Sequence, residues 1–206
     1  TATGNEVNVG SNGTLTVSQD LVVGDLGARN EINIDHGTLN ANSNLILGKN
    51  SSGNELGMDG TANLSVSGDL VIGDSGAGNA YTQEAGQANI VGTTVLGKNA
   101  ANNRYNQTGS TNTVTGNFTI GQMEGASGQT GFVDDDRIET TGNLAIVGED
   151  ALLDIQQSLV VGEEGSGSVL VIRDGGTVDV ASDVVIGEAV GDNYIYLQRD
   201  SNTAFN

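Results

Sequence analysis

The tightest constraint on this chain is a glycine that returns every 24 or 25 residues at the end of a short apolar string. Leu21-Val22-Val23-Gly24, Leu45-Ile46-Leu47-Gly48, Leu70-Val71-Ile72-Gly73, Leu159-Val160-Val161-Gly162 and Val184-Val185-Ile186-Gly187 are one motif. Thr94-Val95-Leu96-Gly97 and Phe118-Thr119-Ile120-Gly121 are looser copies. Successive marker glycines stand 24, 25, 24, 24, 41 and 25 residues apart. A period in the twenties, repeated this often, signals a solenoid.

Side chains alternate between the two faces of a strand, so counting back from each glycine sorts every coil into inward and outward positions. Val17, Ala41, Val66, Ile90, Val114, Ile155 and Val180 form one inward column, and Leu15, Leu39, Leu64, Ala88, Asn112, Leu153 and Val178 a second. The glycine-proximal strand adds Leu21, Leu45, Leu70, Thr94, Phe118, Leu159 and Val184, and, two positions on, Val23, Leu47, Ile72, Leu96, Ile120, Val161 and Ile186. A third strand follows the glycine after a loop, with Ile32/Ile34, Leu56/Met58, Leu170/Ile172 and Ile195/Leu197, and with Tyr81 and Tyr105 in the same slot. The predicted fold is all-β: a single-stranded parallel β-helix over residues 1–206, three strands per coil, with roughly eight coils.

Six residues after the glycine stand Asn30, Asn54, Asn79, Asn103 and Asn193, with Asn5 in the corresponding place of the first, incomplete coil. One amide per coil at a fixed corner can bond to the amides above and below, as in the Asn ladders of stacked strands. The long step resolves when Ala151-Leu152-Leu153-Asp154-Ile155 is aligned with Gly13-Thr14-Leu15-Thr16-Val17. Leu144 to Val147 is then a third strand, and Asn143 joins the ladder. The surplus over a 25-residue step is 16 residues, an insertion within about 122–142 that projects from one corner.

One coil buries five or six apolar side chains, each contributing ~1.5–3 kcal/mol. Ordering its backbone costs at least ~1 kcal/mol per residue. A single coil therefore does not fold, and stability must come from stacking. No capping helix is foreseen at either end, so the terminal coils are expected to leave strand edges open for end-to-end association.

With 26 acidic and 7 basic residues the net charge is -19, which repels nucleic acid and anionic membrane surfaces. No apolar run approaches the ~18 residues of a membrane span. The chain has no cysteine and is rich in Asn, Thr and Gly, a composition that fits a secreted, bacterial-type cell-surface setting. It opens at Thr1 without a basic or apolar leader and reads as a processed chain or an excerpt.

Three surfaces are candidates for function. The outward residue of the glycine-proximal strand is aliphatic along the rod: Val22, Ile46, Val71, Val95, Val160 and Val185, with Thr119 between them. With Tyr194 and Tyr196 of the last coils, these are the candidate self-association residues, a lateral contact competing with ordinary β-propensity as their explanation. The residues after the marker glycines, Asp25, Lys49, Asp74, Lys98, Gln122, Glu163 and Glu188, suit register and solubility. The first strand's outward face carries short hydroxyl and amide groups, Thr14/Thr16, Thr38/Asn40, Asn63/Ser65, Gln87/Asn89 and Thr111/Thr113, which suit a glycan or ice surface or plain solvent.

Asp134, Asp135 and Asp136 in the insertion, near Glu124 and Glu139, could offer oxygen ligands to calcium. Paired carboxylates there would also suit glycosidic chemistry, with Asp134, Asp136 and Glu139 as the candidates, but a solvated loop explains the same run. His36, the single histidine, has no neighbouring Cys or His in the sequence. No enzyme activity and no resident cofactor other than calcium is expected.

The string L-x-V-x-x-D-L-V-V-G-D, seen in Leu15 to Asp25, in Leu64 to Asp74 and more loosely in Leu153 to Glu163, resembles the strand repeats of bacterial autotransporter passengers and related secreted adhesins. That resemblance implies a right-handed parallel β-helix, export to the cell surface, and adhesive or scaffolding duty. The long coil supports the same handedness, since left-handed forms use shorter hexapeptide turns. The leading expectation is a secreted structural solenoid that associates end to end into a fibre or matrix. The alternative is an adhesin fragment that binds a glycan or another surface.

Overall fold

The computed structural model describes residues 2–133, 138–198 and 203–206. Three parallel sheets are stacked as a β-solenoid of about seven turns. Sheet A holds eight strands: Glu6–Val9, Glu31–Asp35, Glu55–Asp59, Ala80–Gln83, Arg104–Thr108, Leu144–Gly148, Val169–Ile172 and Tyr194–Leu197. Sheet B also has eight, from Thr14–Val17 to Ala204–Phe205. Sheet C has seven three-residue strands, from Leu21–Val23 to Val184–Ile186, so the eighth coil lacks its sheet C strand.

Register follows the period without slip. Val22 lies on Ile46, Ile46 on Val71 and Leu39 on Leu64. Each strand pairs with its equivalent one coil away because alternation fixes which face is buried, and a one-residue slip would turn every inward side chain outward. The inward columns form one continuous core, with Leu39, Ala41, Leu45, Leu47, Leu56, Val66, Leu70 and Ile72 fully buried.

Side-chain ladders join the coils at two corners. At the first, Nδ2 of each asparagine donates to Oδ1 of the next: Asn5 to Asn30 (2.7 Å), Asn30 to Asn54 (2.9 Å), Asn54 to Asn79 (2.8 Å), Asn79 to Asn103 (3.2 Å) and Asn103 to Asn143 (3.2 Å). The same Oδ1 atoms accept the backbone N–H of the preceding ladder residue, so each amide closes two bonds upward. Nδ2 also reaches a carbonyl three residues back, as in Asn79 to Gly76 (2.7 Å). The ladder differs from expectation at one rung: Ser168 stands between Asn143 and Asn193, and only its backbone N–H bonds onward, to Asn193 Oδ1 (2.9 Å).

The marker glycines have two reasons to be glycine. Their φ values lie between +67° and +81°, a region that a Cβ disfavours. A Cβ at Gly48 would also overlap the Asn79 amide, and Gly24, Gly73, Gly97 and Gly162 are packed on Asn54, Asn103, Asn143 and Asn193 in the same way. Marker and amide ladder are thus one device.

The second corner carries a ladder of opposite polarity, in which the earlier coil's side chain accepts from the later coil's backbone. Asn44 N–H donates to Asp20 Oδ1 (3.2 Å), Asp69 N–H to Asn44 Oδ1 (2.9 Å), Thr93 N–H to Asp69 Oδ1 (2.8 Å) and Ser158 N–H to Asn117 Oδ1 (3.1 Å). The Ser43 hydroxyl (2.6 Å) and the Asn44 backbone hold the Asp20 carboxyl below the usual aspartate range. Its depressed pKa gives a contribution to stability that is present above the unfolded pKa and fades as acid protonates the folded group.

The apolar core is interrupted in the middle coils. Tyr81 and Tyr105 stack with centroids 5.1 Å apart, and Tyr105 meets Phe118 edge-on at 5.2 Å. Their hydroxyls donate to Gln83 (2.7 Å) and Gln107 (2.9 Å), and Asn112, in the place of a leucine, donates to Tyr105. Burial pushes both tyrosine pKa values up, so the hydroxyls stay protonated donors.

The insertion forms a 3-10 turn, Glu124–Ala126, and an antiparallel pair, Thr130–Val133 with Ile138–Thr140. Gly128 N–H donates to Ser166 O (2.8 Å), Thr140 Oγ1 to Gly167 O (2.8 Å) and Arg104 Nη1 to Gly142 O (3.0 Å), which strap it to the stack.

Replacing fully buried Asn79 by alanine removes the acceptor of both Asn54 donors. We expect a loss of ~3 kcal/mol in urea unfolding, since the orphaned Asn54 N–H costs ~1–3 kcal/mol and the Asn79 side chain's own bonds to Gly76 O and Asn103 Oδ1 are lost with it, while Asn54 Nδ2 keeps Ser51. Alanine at the exposed Asn50 should cost less than ~1 kcal/mol.

Candidate functional site

The structure places the candidate residues on three different surfaces. The aliphatic row of sheet C is one unbroken column, Val22, Ile46, Val71, Val95, Thr119, Val160 and Val185. Its middle is closed, with Val71 at 9%, Val95 at 5% and Thr119 at 4% exposure, and the remaining members are half-buried. The row is therefore a seam of stacked β-branched side chains, open to a partner mainly toward its two ends.

Tyr194 is exposed, whereas Tyr196 packs with Ile138 and Ile146 onto buried Leu144, Val169 and Val171. Ile138 belongs to the insertion, so this loop covers the apolar outer face of sheet A in the last coils. The acidic run Asp134, Asp135 and Asp136 lies outside the described residues. Glu124, its neighbour in the candidate calcium site, is exposed on the 3-10 turn. Among the described residues no group of three or more His, Cys, Asp or Glu is arranged to hold a metal.

Of the alternating charges after the marker glycines, Lys98 and Asp74 pair at 3.2 Å on adjacent coils. Further along, Glu163 is pushed above the usual glutamate range, first by desolvation and then by the carboxylates of Glu188 and Glu164. His36 contacts Asp35 at 2.5 Å on the surface and lies over Gly60. A recess of about 310 Å³ on the outer face of sheet A is floored by Gly57 and edged by Asp35, Glu55, Asp59 and Glu84. A second, of about 320 Å³ on the outer face of sheet B, is lined by Asn63, Ser65, Gln87, Asn89, Thr111 and Thr113.

The end coils differ from the interior. Val184, Ile186 and Leu197 are 40%, 51% and 44% exposed, although Leu159, Val161 and Ile172 at the same positions one coil earlier are fully buried. At the opposite end a recess of about 320 Å³ is lined by Ala2, Val7, Leu21, Val22, Val23 and Ile32 among others. These features define the chain as a β-solenoid repeat protein. No protein-family model, curated protein or solved structure matches it.

The sign of the Glu163 shift gives a test. A carboxyl whose folded pKa is raised favours the folded state while protonated, and that contribution is lost as pH rises through the folded pKa. Glu163→Gln should therefore raise Tm relative to the parent at pH 7, and the gap should close below about pH 4, near the unfolded glutamate pKa. Thermal melts by circular dichroism across this range check it.

Proposed function

We propose that the chain is a secreted structural solenoid that associates head to tail into an extracellular fibre or matrix. The observation that carries this reading is the polarity of the first-corner ladder. Donors point from each coil to the next at every bonded rung, with a break between Asn143 and Ser168, so the ladder has an acceptor end and a donor end. Among the described residues Asn5 Oδ1 accepts no hydrogen bond and the Asn193 backbone N–H donates none. A second copy stacked on the last coil brings Asn5 Oδ1 to Asn193 N–H and repeats the internal geometry. The same contact sets the exposed Val184, Ile186 and Leu197 toward the apolar recess beside Val7 and Leu21.

This is a heterologous contact, which propagates into filaments when its rotation does not close. Copies meet at a junction without the covalent link that joins coils within a copy, and fibres part before the coils melt. Composition supports the extracellular setting: no cysteine, high Asn, Thr and Gly, and the net charge of -19.

Electron microscopy and light scattering of the 206-residue chain test the reading. We expect fibres with an axial repeat of ~38 Å, eight rungs at ~4.8 Å, that dissociate in urea below the unfolding transition. Val184→Glu with Ile186→Glu, both at exposed positions, should abolish them while leaving the melting curve unchanged. A strictly monomeric rod at high concentration overturns the proposal.

A further inference from the structure

The outer face of sheet B is polar yet uncharged over its first five coils, in a strongly acidic protein. Two columns of outward side chains run up the first five coils, from Thr14 and Thr16 to Thr111 and Thr113. None of these ten residues is charged. Over the same coils sheet A turns Glu6, Glu31, Asp35, Glu55, Asp59 and Arg104 outward, six charges among its thirteen outward strand positions. Both faces are polar and both meet solvent, so solvation alone does not account for the difference. Charge returns to sheet B at Asp154 and Asp179, where the columns continue into the later coils.

The groups on this face are also free to bond. Among the described residues Ser65, Gln87, Asn89, Thr111 and Thr113 make no side-chain hydrogen bond, Asn63 donates only to Thr61 O (3.1 Å), and Asn40 reaches Thr16 at 3.5 Å. The corner asparagines Asn30, Asn54, Asn79 and Asn103, by contrast, bond to the coils on both sides. Rungs recur every ~4.8 Å along the axis and the two columns stand ~6.7 Å apart, so the face is a regular lattice of donors and acceptors. Threonine and serine hold these groups with little rotamer freedom to lose.

We propose that this face binds an uncharged polysaccharide laid along the solenoid axis over Asn63, Ser65, Gln87, Asn89, Thr111 and Thr113. Sugar hydroxyls need donors and acceptors together, which hydroxyl and amide side chains supply. An anionic chain is repelled by the net charge of -19, and a cationic ligand is drawn to the carboxylates of sheet A instead. The face has no aromatic platform, so each contact is weak and affinity comes from repetition along a polymer. Binding here does not depend on the chain forming fibres.

Co-sedimentation of the 206-residue chain with insoluble cellulose, chitin and curdlan, with calcium alginate as the anionic comparator, tests the site. We expect retention on at least one neutral polymer, insensitivity to salt, and binding to the corresponding soluble hexaose weaker by at least about tenfold. Asn63→Asp with Asn89→Asp should weaken retention at least about tenfold by placing charge in the lattice. The sheet A control, Asn8→Asp with Asn106→Asp, should change it less than about twofold, with circular dichroism of both variants unchanged. Retention on none of the neutral polymers, equal loss in both variants, or salt-reversible retention on alginate alone overturns the proposal. So does loss in the Asn63/Asn89 variant of self-association measured without glycan, which would make the face a contact between copies. Glycan retention by a protein that stays monomeric leaves this site standing and removes the fibre.

Discussion

Every strand of the three stacked sheets has its hydrogen-bonding partners one coil away, and no coil satisfies itself. That constraint organises the rest. The backbone pairs through three parallel sheets, and the corners, where a chain turning between sheets would leave polar groups open, are closed by side chains that repeat with the period. Stacking supplies both the apolar burial and the partners for the polar groups, so cooperativity arises between neighbours rather than within a unit.

The two corner ladders run in opposite senses. At one, backbone and side-chain donors reach to the following coil's amide, and at the other the following coil's backbone reaches back to Asp20, Asn44, Asp69 or Asn117. Each also needs missing side chains nearby. Gly48 and its equivalents make room for the asparagines, and Gly68 and Gly92 lie against Asn44 and Asp69. Axial polarity at one corner gives the ends unlike chemistry, which is what a head-to-tail contact requires. The broad outer face of sheet B lies away from that contact, so an axial assembly leaves it open along its length.

The period, the marker glycine, the inward columns and the asparagine corner were legible in the sequence because each is repeated often enough for alternation to sort it. What escaped was whatever departs from, or shares a position with, the repeat. Ser168 breaks the amide ladder at a single rung. The second corner mixes Asp, Asn, Thr and Ser, whose common role as acceptors or capped amides shows only once the register is known. Asn112 sits in a leucine column, and its partner, the Tyr105 hydroxyl, comes from a different sheet of the same coil. The sheet C row reads as exposed from alternation, yet alternation gives direction and not accessibility: Val95 points outward and is 5% exposed. The apolar outer face at Leu144, Val169 and Val171, by contrast, was legible as the outward residues of the third strand in the last coils, and the insertion's Ile138 packs on it.

If stability resides in stacking between interchangeable neighbours, one whole period can be removed without loss of the fold. Deleting residues 30–53 joins Arg29 to Asn54 and lets Asn5 stack on Asn54 as it does on Asn30. Urea unfolding of this deletion beside the full chain is the most direct measurement. The account requires a cooperative transition whose m-value and unfolding free energy each fall by about one coil's share. A deletion that no longer folds, or one with the full chain's m-value, would contradict it.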